Sequence, residues 1–518
     1  MAGIACLTAL IYVDPGIGPT IQMAWLTKSR FLSGLQCHKR LWFEIHQPIE
    51  EPVEPSIPIL QGRAFDEVVQ RIHPGAVVAR DRGMPAAIAA TTKLLRKGPK
   101  APSILYQPAF RAGDLAVIAD VLRRNGREFD LIEVKATTQV KDTHLPDAAF
   151  QALVLQRATI PIGRVFIDHV NNQFVLRRPG DYDGLLVEED ITDKVRDYLR
   201  EAAERALEYQ QVMASASVPD VDVGPHCQSP YECPFFARCT AGQEAAEYPV
   251  EVLPRGGKSI EALLADGYRD LRDVPEKLLT NEMHRRVYEA TRSGLAFFDL
   301  AATAELRRLI SPFAYLDFET IGFPVPEIIG TRPFEQVPFQ WSVHVEYSAD
   351  DIRQFEYLAI ESFGNFDAMA RALIAALPIE GPIFAYNASF EERVLVRLAE
   401  LLPAHDGTLR GLAGRLVDLL PVTRCAYYHR DMRGSWSIKR VMPTIDARLG
   451  YEHLGEVQEG DGAQMAFLEL RTENVDAERT RTLRQALLRY CRHDTWTMVV
   501  LRRFLCGQSI QMVDNHLI

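Results

Sequence analysis

GDLAVIADVL at residues 113–122 and FDLIEVKAT at residues 129–137 decide how the first part of this chain folds. Both are apolar runs of strand length, and Asn125-Gly126 between them is a hairpin signal. The pattern predicts an antiparallel strand pair, followed by a helix over DAAFQALVLQRA, residues 147–158. Glu133 and Lys135 stand two apart on the second strand, so their side chains share a face. Asp120 lies on the first strand and can reach that face. The trio is set among Val117, Ile118, Leu131, Ile132 and Val134, where charge is costly unless it is used. A cross-strand ion pair on a solvated sheet face is the bland alternative.

The residue types suggest a chemistry. Two carboxylates are hard oxygen ligands of the kind Mg²⁺ or Mn²⁺ requires. A lysine beside them can orient or deprotonate an attacking water and offset phosphate charge. Cysteines bracket this core. Cys37 precedes it alone, and Cys227, Cys233 and Cys239 follow it in HCQSPYECPFFARC. Thiolates in this number suit an iron–sulfur cluster or zinc, the latter with His38 or His226 as a further ligand. The whole reads as a metal-dependent nuclease core clasped at its ends by a metal. Cys6, Cys425, Cys491 and Cys506 are isolated, and core packing is their expected role.

At 518 residues the chain should form two to four domains, and 47% apolar with 25% charged residues is an ordinary globular mixture. The net charge of −11 excludes nucleic-acid binding by the overall field and leaves it to local basic patches. Eight unevenly spaced cysteines suggest a reducing, cytoplasmic compartment. Apolar runs are too short to span a bilayer, so no membrane association is expected. Residues 1–22 lack a signal-peptide n-region and read as an extension, with Met23 as a natural start. The expected domains are 23–245, a helical connector at 246–310, and 311–518. In the connector, IEALLADGYRDLRDVPEKLL looks like two short helices joined at Gly267, a candidate helix-hairpin-helix or a packing spacer. There is no P-loop, so a helicase, if one takes part, is a partner.

The last block alternates strands and helices. AYLDFET, FQWSVHVEY, RQFEYLAI, PIFAYN and GRLVDLLPV read as strands, with a long closing helix at 476–505. Asp317 and Glu319 share a strand face, Glu391 sits where a strand meets a helix, and Tyr490 and Asp494 are four apart on one side of the last helix. Four acids converging from separate elements could hold two divalent ions about 3.5–4 Å apart, the geometry for in-line phosphodiester hydrolysis, with Tyr490 orienting water. Glu391 has a second reading as a first-turn acid, since Ser389 and Glu392 match a capping box. TRCAYYHRDMRGSWSIKR, residues 423–440, interleaves Arg424, Arg430, Arg433, Lys439 and Arg440 with Tyr427, Tyr428 and Trp436. It reads as a single-strand groove or as a solvated loop over core aromatics.

IADVL…LIEVKAT followed by DAAFQALVL resembles the RecB-type PD-(D/E)XK nucleases. The resemblance implies that Gln151 assists Asp120, Glu133 and Lys135, and that Cys37, Cys227, Cys233 and Cys239 bind a 4Fe–4S cluster. The C-x5-C-x5-C spacing is wider than is usual there. The acids of the last block resemble the DnaQ-like exonucleases of the ribonuclease-H fold, where the second motif ordinarily has Asp in place of Glu391. DFETIGFPVP, PFQWSVH, GSWSIKRVMP and YCRHDTWTM together resemble an uncharacterised family, domain of unknown function 2779, from Met23 to about Cys506. These resemblances imply an α/β multidomain protein: a restriction-endonuclease-like domain fused to a ribonuclease-H-like exonuclease domain. They imply hydrolysis of DNA, chiefly at single-stranded ends, in repair or defence. A nucleic-acid-binding adaptor with a silent site, or an RNA-processing exonuclease, fits the same residues.

Overall fold

The computed structural model describes residues 24–49, 56–78, 83–242, 246–472 and 475–508. The expectations for residues 1–22, including Cys6, lie outside them. The chain is an α/β protein that divides into two compact units, residues 1–54, 62–171 and 182–242, and residues 55–61, 172–181 and 243–518.

The first unit contains β1 (Ala76–Val77), β2 (Ile104–Tyr106), β3 (Ala109–Ala112), β4 (Leu115–Ile118), β5 (Val121–Asn125), β6 (Glu128–Lys135), β7 (Ile162–Val170) and β8 (Leu186–Asp190). A six-stranded mixed sheet runs β1-β2-β5-β6-β7-β8, and β3 pairs with β4 in a separate ladder. The run GDLAVIADVL is therefore not one strand. It breaks at Ala119-Asp120, and its halves belong to different sheets. The hairpin loop is Gly126-Arg127, one residue later than expected, because Asn125 pairs with Glu128. Gly126 takes the left-handed conformation at φ +62°, where a side chain would be strained. The helix Leu145–Arg157 is buried on every side from Pro146 to Leu155, as its nearly all-apolar sequence requires. The helix Lys28–Gln36 lies so close to the helix Thr192–Ala214 that a Cβ on Gly34 would meet the Tyr209 ring at 2.8 Å.

The second unit contains β9 (Phe297–Phe298), β10 (Phe313–Ile321), β11 (Val337–Glu346), β12 (Ile352–Leu358), β13 (Ile383–Ala385), β14 (Leu416–Asp418) and β15 (Tyr427–Tyr428). Its five-stranded sheet has the order β12-β11-β10-β13-β14. β11 is antiparallel to both neighbours, and β13 and β14 continue parallel to β10. Alternation along β10 sorts its residues: Ala314, Leu316 and Phe318 pack with the helices Phe366–Ala376 and Ser389–Leu401, while Asp317 faces the helix Ala477–Leu505. That helix is anchored by a buried ionic group. Arg502 and Arg503 approach Glu346 of β11 at 3.2 and 2.9 Å, and Tyr315 donates to the same carboxylate at 2.5 Å. Removing one member of such a group costs about 3–5 kcal/mol.

Two expected elements differ here. In GRLVDLLPV only Leu416–Asp418 is strand. Asp418 caps the following helix, Leu419–Ala426, by accepting from Leu420 N at 2.9 Å, and Pro421 is tolerated in the first turn. After the helix Gly257–Ala265 the turn at Gly267 leads not to a second helix but to two single 3₁₀ turns, Leu271–Asp273 and Glu276–Leu278. Val274-Pro275 separates them, so this stretch does not form a helix-hairpin-helix. Tyr248, Leu263, Leu271, Val287 and Leu306 share one apolar core with Leu419, Trp436, Trp496 and Val499.

Candidate functional site

In the first unit Asp120, Glu133, Lys135 and Gln151 converge. Asp120 occupies the break between β4 and β5 and accepts from Val134 N at 3.0 Å, which aims its carboxylate at β6. Lys135 Nζ donates to Glu133 Oε1 at 2.6 Å, and Gln151 Nε2 donates to Glu133 Oε2 at 2.5 Å. Two further residues complete the group. Asp147, one turn before Gln151, accepts from Lys135 at 2.7 Å. Lys28 Nζ stands 2.8 Å from Glu133, 3.4 Å from Asp147 and 3.8 Å from Asp120. The Asp147–Gln151 spacing of four on a helix was a usable signal. Lys28 had none, lying 105 residues from Glu133 in sequence.

The electrostatics follow from two cations among three acids, of which Glu133 and Asp147 are buried and Asp120 is half-buried. Burial alone would raise the Glu133 carboxyl, but Lys28 and Lys135 outweigh it and hold it well below its ordinary range. Asp120 is pushed up to about 7, first by desolvation and then by the Glu133 charge. Asp147 is raised for the same two reasons.

Cys227, Cys233 and Cys239 lie in one apolar corner with Trp42, Phe43 and Phe235, and these three and Cys37 form no disulfide. Gln36, beside Cys37, donates to the carbonyls of His226 and Tyr231 at 2.8 and 2.7 Å, tying the first helix to the triplet loop. Desolvation raises the Cys233 and Cys239 thiols, and Cys37 and Cys227 are near enough to add to it. His226 Nε2 lies 3.6 Å from Cys227 Sγ. His38 instead turns to Glu208 at 3.5 Å, which argues against it as a ligand.

In the second unit Asp317 and Glu319 come from β10, Glu391 from the first turn of Ser389–Leu401, and Tyr490 and Asp494 from Ala477–Leu505. Tyr451 donates a short hydrogen bond to Asp494, and Tyr490 bonds it as well. Burial, then Asp494 and Glu319, push the Asp317 carboxyl well above its ordinary value. Glu319 is raised likewise, first by burial and then by Asp494. Asp494 is pushed up to about 6 by burial. Glu391 is only 2% exposed, and its carboxyl is pushed up to about 8, first by burial. Its Oε2 has no hydrogen-bond partner. The capping box is not formed: Ala388 is the N-cap residue, without a side-chain bond, and Ser389 turns to Asn387. Glu391 therefore does not serve the helix start in that way. Lys439 Nζ lies 5.3 Å over the Tyr451 ring and 5.1 Å over the Tyr490 ring.

Cys491 belongs to this group, against the expectation of simple packing. Its Sγ lies 3.4 Å from Asp317 Oδ2, and the donor atoms of Asp317, Glu319 and Cys491 all fall within 4.8 Å of one another. That arrangement can hold a metal ion. Among the described residues the cysteine corner of the first unit forms no comparably close donor group. Cys425 is exposed, so it too is not a core residue.

In the 423–440 segment Tyr427, Tyr428 and Trp436 are at most 5% exposed and belong to the core, so they are not stacking platforms for bases. The cations differ. Arg424, Arg255, Asn387, Ser435 and Ser437 line a cavity of about 700 Å³, and Lys439 and Arg440 line another of about 720 Å³ that shares the two serines. Arg255 and Asn387, both lining the first, hold positive φ at 54° and 71°, where a side chain is strained. Such strain gathers where the surrounding structure has a use for it.

No helix among the described residues is long and apolar enough to cross a membrane. A family model described as Domain of unknown function (DUF2779) matches residues 314–437, a narrower span than the expected Met23 to about Cys506. The chain is similar to "Uncharacterized protein MG366 homolog" of Mycoplasma pneumoniae, 26% identical over 212 residues, covering 37% of this chain and 32% of that protein. It is also similar to "Uncharacterized protein MG366" of Mycoplasma genitalium, 26% identical over 212 residues, covering 37% of this chain and 31% of that protein. The chain thus spans about a third of the length of these curated relatives.

Proposed function

We propose that this protein is a metal-dependent nuclease acting on DNA, with single-stranded ends as the preferred substrate and the principal centre in the second unit. The observation that carries the proposal is the convergence of Asp317, Glu319, Glu391 and Asp494, with Glu391 Oε2 buried and unpartnered. A buried acid cluster that raises its own pKa values is costly unless a cation neutralises it. The oxygen donors fit divalent Mg²⁺ or Mn²⁺, which would supply activation of water and stabilisation of phosphate charge. The strand order, with β11 antiparallel to the rest, supports the ribonuclease-H-like reading.

The chain's own residues would act as follows. Asp317 and Glu319, side by side on β10, hold the ions; Glu391 and Asp494 close the group from two helices. Tyr451 and Tyr490 hold the Asp494 carboxylate in place, and the Tyr490 hydroxyl is the group positioned to orient water. Arg424 and Arg255 in the adjoining cavity would take backbone phosphates of the strand. In the first unit, the mixed sheet and the Asp120–Glu133–Lys135–Gln151 group support a PD-(D/E)XK centre. The thiolate corner suits a 4Fe–4S cluster, with zinc as the alternative.

A second reading, in which the first centre is silent, is favoured by one observation. Lys28 stands among all three carboxylates and with Lys135 sets two positive charges against three acids, so most of their charge is offset without a divalent ion. End-labelled single- and double-stranded DNA and RNA, digested with Mn²⁺, test both readings. Asp317→Ala should remove nucleotide release from the end. An activity surviving in Asp317→Ala but lost on adding Lys135→Ala would assign a second working centre. If the wild type releases nothing from any polymer, the nuclease reading is wrong and an adaptor remains.

A further inference from the structure

Cys491 is fully buried, and its thiol points at Asp317 from the same helix that carries Asp494. A thiol is not what a Mg²⁺ site needs, because sulfur is a soft donor and Mg²⁺ is held by oxygen. Zinc is different. It accepts Cys sulfur at about 2.3 Å and carboxylate oxygen at about 2.0–2.2 Å, usually in a four-coordinate tetrahedral shell. At the tetrahedral angle, donors around one such ion lie roughly 3.3–3.8 Å from each other. The Asp317, Glu319 and Cys491 donors, mutually within 4.8 Å, need draw together by at most roughly 1–1.5 Å, a shift within reach of side-chain rotation. Glu391 supplies an independent sign that a ligand is missing. Its Oε2 is buried without a partner, and its charge acts on both Asp317 and Glu319.

We propose that Asp317, Glu319 and Cys491 form a mixed oxygen–sulfur site for a thiophilic divalent ion of the Zn²⁺ or Cd²⁺ class, and that this ion switches the centre off. Binding forms a metal–sulfur bond and breaks the S–H bond. The thiol proton, and any proton held by the Asp317 and Glu319 carboxyls, leaves to solvent as the ion takes its place, with no change of oxidation state. The switching follows from coordination. An ion held by Asp317, Glu319 and the Cys491 thiolate takes the two carboxylates that Mg²⁺ or Mn²⁺ would need, and so competes with them for the centre. The site itself stands on geometry, and only its inhibitory effect rests on the nuclease reading above.

The test uses the full chain, with Cys491→Ser as the comparison, so that the cysteines of the first unit are the same in both. Zinc uptake by equilibrium dialysis and metal analysis should fall by one equivalent in Cys491→Ser. Cadmium titration should show a sulfur-to-metal ultraviolet band that the variant lacks. Glu319→Gln, which keeps the thiol, should weaken zinc binding at least tenfold and serves equally if the cysteine variant does not fold. Zinc should inhibit Mn²⁺-driven nucleotide release by the wild type at a concentration at least tenfold lower than for Cys491→Ser. Equal uptake and equal bands in wild type and Cys491→Ser overturn the proposal, whatever the nuclease activity. Cys491-dependent uptake in a protein that releases no nucleotide with any ion would support the site and sink the nuclease reading instead.

Discussion

Replacing Glu391 by Gln should make the metal-free protein more stable while disabling the second centre. Glu391 is 2% exposed and has an unpartnered oxygen, and its carboxyl is raised from 4.5 to about 8. A raised acid favours the folded state fully below its unfolded pKa. That stability is lost as pH rises toward the folded pKa, because the unfolded chain releases the proton first. The window is therefore about pH 4.5–8. At about 1.4 kcal/mol per unit, the full shift corresponds to an upper limit of about 5 kcal/mol. Relaxation and water entry reduce that, and about 1–3 kcal/mol is the expected gain from the neutral isostere above pH 8. The amide can also donate to the neighbouring carboxylates. At about 2–4 °C per kcal/mol, the melting temperature in EDTA should rise by several degrees at pH 8.5 and by much less at pH 5.5. Thermal unfolding of the two proteins in EDTA at both pH values is the measurement. A variant that melts no higher than wild type at pH 8.5, or a difference that does not grow with pH, would refute the argument that this acid is held at a cost.

Lys28→Met should raise the acid limb of the first centre's pH–rate profile by roughly one unit, measured in the Asp317→Ala background, because an ammonium that lowers the Asp120 pKa is removed. An unchanged profile would mean that Lys28 only supports the fold. Cys37→Ala should lower both bound iron and solubility, read as lost absorbance near ~400 nm and a smaller soluble fraction; retention of both would disqualify Cys37 as a ligand. Arg424→Ala should raise KM for single strands several-fold with kcat kept, and should flatten the dependence of log affinity on log salt by about one. An unaltered slope would take the cavity off the substrate path.

Much of the α/β alternation was legible because burial imposes a period on each element. The strands AYLDFET, FQWSVHVEY and RQFEYLAI and the long last helix appear as β10, β11, β12 and Ala477–Leu505. The errors are equally local. GDLAVIADVL was continuous in composition, yet its two halves entered different sheets. LLPV looked extended but follows an N-cap aspartate. Ser389 and Glu392 had capping-box spacing, but the chain enters that helix through Asn387 at φ +71°. Tyr427, Tyr428 and Trp436 suggested stacking rings until burial placed them in the core.

By itself the sequence determined which residues could share a face: Glu133 with Lys135, Asp317 with Glu319, Tyr490 with Asp494. Those pairs lie within one turn or two strand residues, where backbone geometry alone sets direction. Only the tertiary structure decided that Lys28 stands among the carboxylates of the first group, 105 residues from Glu133, and that Cys491 meets Asp317 across 174 residues. Such meetings depend on how sheets and helices pack. No local propensity encodes them, because the side chains that meet are brought together by the burial of other residues.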